Sequence, residues 1–138
     1  MQPIRMSTRI FQGLAWLVAG GMILQFYLAG AALFGVTTFE PHRALGEGLA
    51  LAILLLLVSA LIARPGRRVV GMVAALTALA VVQILLPSLR SGLPWVAALH
   101  ALNAVALLWL AVSIARAPRQ VVAASRPRER LLVTPETN

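Results

Sequence analysis

Two histidines and two glutamines stand at matched intervals in a chain with few other side chains able to do chemistry. Gln25 precedes His42 by 17 residues, and Gln83 precedes His100 by the same 17. A neutral imidazole nitrogen is a good donor to iron, and two imidazoles converging from opposite sides fill both axial positions of a haem. The cofactor expected on these residues is haem b, with His42 and His100 as the metal ligands. Ligation of that kind favours electron transfer, or haem handling and sensing, over oxygen chemistry. Propionates would need cationic partners near water, and Arg43 and Arg90 can supply charge-assisted hydrogen bonds. Gly46 follows His42 by one turn on the same helical face, where a missing side chain leaves room for a flat macrocycle. Gln25 and Gln83 complete the candidate binding set, and Asn103, three residues after His100, can orient a neighbour.

Plainer readings exist for each position. His42 can be an interfacial histidine near a helix start. Arg43 and Glu47 stand at i, i+4 and can form a local ion pair. Gly46 and Gly48 can serve only close helix packing, and Gln25 and Gln83 can bridge helices without touching a cofactor. Trp16, Trp95 and Trp109 fit membrane-interface or packing positions better than an electron path.

Elements able to position such a set are dictated by composition. The 138 residues are 60% hydrophobic and 12% charged, with a mean hydropathy of +0.89. A water-soluble domain carries about 45–50% apolar and about 25% charged residues. This chain cannot clothe a globular surface, which excludes a soluble enzyme. Its net charge of +8 comes wholly from Arg against Glu. Those arginines sit between apolar runs rather than on a solvated patch, which excludes a nucleic-acid-binding module. The absence of cysteine excludes disulfides, Cys-based metal sites and thiol nucleophiles.

Four runs reach the roughly 20 apolar residues that a membrane span requires: about 10–34, 44–63, 69–86 and 95–115. The links are short and contain Pro and Gly, so consecutive helices should run antiparallel. The expected fold is all-α: an integral membrane, up-down-up-down four-helix bundle built from two duplicated hairpins. Residues 1–117 form the bundle, and 118–138 are expected to be a basic, disordered tail.

Ten of the 12 arginines lie on one side of the spans, and only Arg43 and Arg90 on the other. The positive-inside rule puts both termini in the cytoplasm of a multi-pass plasma membrane protein. A cleaved leader at the first span is the alternative, although its apolar run exceeds a usual signal peptide. At about 1.5 Å per residue from the flanking arginines, Gln25, Glu47, Gln83 and His100 fall in one layer. The same ruler places His42 about 9 Å from the level of His100. In the cyclic order 1-2-3-4 the second and fourth helices are diagonal, so their histidines should face each other.

The residues that carry these readings also carry a resemblance. Gln25 with Leu28-Ala29-Gly30, Glu40-Pro41-His42-Arg43 with Leu45-Gly46, Val82-Gln83-Ile84-Leu85, and Leu99-His100-Ala101-Leu102-Asn103-Ala104 resemble one four-helix half of the haem A synthase family. The chain is also similar to small four-helix membrane proteins common in actinobacteria. The resemblance covers roughly residues 10–116. It implies His42 and His100 as iron ligands and Arg43 on the propionate side. Only one half is present, so haem A synthesis itself is not implied. Partners expected are the lipid bilayer and a quinol or an outer-face redox protein.

Two other functions fit the sequence. A cofactor-free accessory or scaffold protein would use the polar layer only to hold the helices together. A proton-linked transporter would use Glu47 and His100 as an ionisable pair, and would need a homodimer to complete a pathway.

Overall fold

The computed structural model describes residues 6–117. The basic tail and Arg5 lie outside the described residues. Four helices make up the fold: α1 (Met6–Leu33), α2 (Glu40–Ala63), α3 (Arg67–Leu85) and α4 (Pro94–Ala115). A 3-10 turn, Leu86–Leu89, extends α3. Among the described residues there is no strand. With that extension, every helix is long and apolar enough to cross a membrane. Helices suit lipid because they satisfy their own backbone groups. The hydroxyls of Ser59, Thr77 and Ser113 bond back to carbonyls three or four residues earlier, so these polar atoms are also satisfied within their own helices.

Chain reversals follow local chemistry. Gly35, at φ +72°, ends α1 in a Schellman motif: Val36 N–H reaches Ala31 O and Gly35 N–H reaches Ala32 O. Arg64 closes α2 in the left-handed region, and Pro65 then blocks continuation. Pro41 and Pro94 do not break helices. Each lies in a first turn, where its missing N–H is no loss and its fixed φ suits the helix. α2 therefore starts at Glu40, four residues before the apolar run, and His42 belongs to the helix.

The helices pack in the cyclic order α1-α2-α3-α4, each against its two neighbours and none across the diagonal. A continuous core fills the end of the bundle that carries Arg9, Arg64, Arg67, Arg68 and Arg116. It includes Phe11, Val18, Ile53, Leu56, Val73, Leu76, Leu107 and Ile114, all nearly inaccessible. Gln12 donates from α1 to Ala115 O at 2.6 Å, fixing the register of α1 against the end of α4. The opposite end is packed differently. Beyond Met22, Leu49, Ala80 and Leu107, only Leu86 is buried. The polar residues lie in this loosely filled half.

Candidate functional site

Each histidine is held by the helix that precedes it. The Nδ1 of His42 lies 3.2 Å from the backbone oxygen of Gln25, and the Nδ1 of His100 lies 3.0 Å from that of Gln83. A carbonyl can only accept, so both rings carry their proton on Nδ1 and present the Nε2 lone pair. This tautomer suits a metal ligand, whose other ring nitrogen is commonly oriented by a carbonyl or carboxylate. The shared interval of 17 residues thus reflects a shared contact. It arises by two local routes: His42 sits near the start of α2, whereas His100 sits well inside α4, and the 3-10 turn makes up the difference.

The two rings meet across the bundle. Their centroids are 6.4 Å apart and their planes are inclined at 63°. The register implied by the arginines, with His42 displaced along the bundle, is therefore corrected. Arginines at the C-terminal ends of α2 and α4 do not mark one depth, and the helix-to-helix hydrogen bonds fix the level instead. Phe39 adds an edge contact to His42, with centroids 6.2 Å apart.

The second hairpin is internally satisfied. Gln83 Nε2 donates to His100 Nε2 at 3.2 Å, while Gln83 Oε1 accepts from Asn103 Nδ2 at 2.7 Å. Asn103 also donates to Leu79 O at 2.9 Å. The carbonyl of Gln83 is available because the residue four later is Pro87, which has no N–H to occupy it. In the first hairpin, Leu45 stands where Asn103 stands in the second, three residues after the histidine. Gln25 Oε1 is consequently buried without a hydrogen-bond partner. The Gln25 amide lies over Gly46, where a Cβ would come within 2.9 Å of its Nε2. The space that Gly46 leaves is taken by that side chain.

The remaining candidates stand apart. Arg43 pairs with Glu40 at 2.9 Å rather than with Glu47, and both side chains are about 70% exposed. Arg90 is exposed at the end of the 3-10 turn. Glu47 is exposed and outside the polar cluster. Asn103, expected to orient a neighbour, does so by donating to Gln83, whereas the roles of the glutamine carbonyls were hidden in the sequence. Pro87, four residues after Gln83, is the readable trace of one of them.

These residues can be tested against a metal. Among the described residues no three His, Asp or Glu side chains gather, so a bare ion would lack protein ligands. A porphyrin brings its own in-plane nitrogens and asks the protein only for axial ones. A metal–imidazole bond of about 2 Å on each side, plus the two ring radii, separates centroids by about 6 Å. The observed separation fits. The surroundings are occupied, by the Gln25 amide over Gly46 and by Gln83 on His100 Nε2, so both amides must move before a macrocycle can enter.

Residues 25–89 match the model of a family of unknown function, DUF6220. The match runs from Gln25 to the end of the 3-10 turn and includes His42, Arg43, Gly46 and Gln83. It stops before α4, so His100 and Asn103 lie beyond it. No curated protein and no solved structure matches the chain.

Proposed function

We propose that this chain is a small integral membrane protein that binds haem b through His42 and His100, in electron transfer or in haem handling and sensing. The observation that carries the reading is the pair of imidazoles 6.4 Å apart on diagonal helices, both with Nδ1 tied to a glutamine carbonyl, which leaves Nε2 as the unprotonated nitrogen of each. When bound, a haem with two histidine ligands supplies one-electron chemistry and leaves no open coordination position. The chain's own residues hold and orient it. The glutamine carbonyls set the tautomers, the thinly packed half of the bundle receives the ring, and Arg43 and Arg90 flank the same end as cations for propionates. Arg43 would exchange its exposed bond to Glu40 for such a contact at little cost.

The arginine-rich end faces the cytoplasm of the plasma membrane in this proposal, with both termini inside and the haem near the outer face. A quinol or an outer-face redox protein would then be the electron partner. One observation favours a cofactor-free bundle instead: the bond from Gln83 Nε2 to His100 Nε2, which must open before that nitrogen can bind iron.

The experiment is an absorption spectrum of protein purified in mild detergent from haem-supplied cells. The proposal expects a Soret band and, on reduction, the sharp α-band of a six-coordinate haem. That spectrum should be lost in His42→Ala and in His100→Ala. Colourless wild-type protein would sink the haem reading and leave the polar network as helix-to-helix packing.

A further inference from the structure

We propose that the face of α4 turned away from the core is a binding site for one anionic phospholipid, with the phosphate on Arg116 and an acyl chain lying along the helix toward Val105. This site is separate from the histidine pair, and colourless protein would leave it standing.

The periodicity of α4 creates the groove. Leu107, Leu110, Ala111 and Ile114 are buried against the other helices. Val105, Trp109, Val112 and Arg116 follow at intervals of four, three and four, which puts them in one stripe on the opposite side. With Leu108 and Ser113 they line a groove of about 370 Å³. From Val105 to Arg116 the stripe runs about 16 Å along the helix. That is close to half of a hydrocarbon core of about 30 Å, the depth filled by the chains of one leaflet. Trp109, 66% exposed, gives the groove a broad apolar wall. The Ser113 hydroxyl already donates to Trp109 O at 2.7 Å, so it asks nothing of a hydrocarbon chain.

Charge closes one end of the groove and selects the headgroup. Side chains on a helix lean toward its N-terminus, so Arg116, just past the last turn, lies back over the groove it lines. Among the described residues no carboxylate pairs with it, and Glu40 and Glu47 both lie at the far end of the bundle. A guanidinium offers a phosphate two parallel N–H bonds. The last carbonyls of α4 oppose an anion there, so the attraction has to come from the guanidinium itself.

A second groove supplies the comparison. Phe26, Tyr27, Gly30, Ala31, Phe34 and Val36 line about 350 Å³ at the C-terminal end of α1. It is nearly the same size and equally apolar, but no charged side chain borders it. Such a groove accepts a chain whatever its headgroup, so charge rather than shape distinguishes the α4 site.

Tryptophan quenching in vesicles tests this. Full-length protein carrying Trp16→Phe and Trp95→Phe keeps Trp109 as its single tryptophan. It is reconstituted into phosphatidylcholine vesicles containing equal fractions of either phosphatidylglycerol or phosphatidylcholine brominated at mid-chain, near the level of Trp109. Quenching should report about fivefold enrichment of phosphatidylglycerol beside Trp109. Arg116→Gln should abolish that preference, Arg116→Lys should keep most of it, and Arg64→Gln, on the diagonal helix, should leave it unchanged. A tryptophan moved to the other groove, as Phe34→Trp with Trp109→Phe, should show no preference. Equal quenching by the two brominated lipids at Trp109 would overturn the proposal. So would an equal loss in Arg64→Gln and Arg116→Gln, which would reveal a diffuse field of arginines instead of a site. If Arg116→Gln does not reconstitute, the preference at Trp109 and its retention in Arg64→Gln decide.

Discussion

At the residue scale, the site is a comparison between two nearly equivalent places. Gln25 and Gln83 each offer a backbone oxygen to a histidine 17 residues later, yet one amide is fully paired and the other is not. The difference traces to a single position, Asn103 against Leu45. Asn103→Leu should therefore lower thermal stability by about 1 kcal/mol, the usual worth of a polar contact between membrane helices, measured by denaturation in detergent. The converse change, Leu45→Asn, supplies the donor that Gln25 lacks. By pairing the buried Gln25 Oε1 it should raise thermal stability by up to about 1 kcal/mol in the same measurement. An unchanged melting temperature would show that the new amide does not reach Gln25.

At the element scale, the helices approach each other closely where side chains are small. Gly21 in α1 faces Leu49 of α2, and a Cβ at Gly21 would lie 2.5 Å from Leu49 Cδ2. Gly20, one residue earlier, meets nothing within 4 Å. Gly21→Ile should thus destabilise the bundle by about 1–3 kcal/mol through overpacking, while Gly20→Ile should not. Comparison of the two melting curves separates packing from the intrinsic gain of removing a helical glycine. Equal effects would refute this α1–α2 contact. The prolines carry the other element-scale lesson. Pro41 and Pro94 read as breaks in the sequence but lie in first turns, and Pro87 shapes the turn that frees the Gln83 carbonyl.

At the scale of the whole molecule, the bundle divides into a packed half and an open one. Arginines gather at the packed end, and the histidine pair lies in the open half. The proposed orientation is directly testable because the chain has no cysteine of its own. Ser91→Cys, in the exposed link before α4, should react with an impermeant maleimide on intact cells. Arg67→Cys should react only after lysis. The reverse pattern would invert the topology and place the site near the cytoplasmic face. The DUF6220 match spans the C-terminal part of α1 through the 3-10 turn, and so contains three of the four matched Gln and His positions.

Composition and run length determined the fold class, because nothing but helices satisfies backbone groups in hydrocarbon. Short links determined the antiparallel order, and the repeated interval of 17 residues pointed to the polar set. Depth was beyond the sequence: counting from arginines assumes that every helix ends at one level, and α2 and α4 do not. Which amides are paired was also beyond it, since Gln25 and Gln83 look alike until their neighbours across the hairpin are known. Tertiary structure alone decided that the rings meet, because a helix fixes only the direction of a side chain on its own surface, while packing between helices sets what lies opposite.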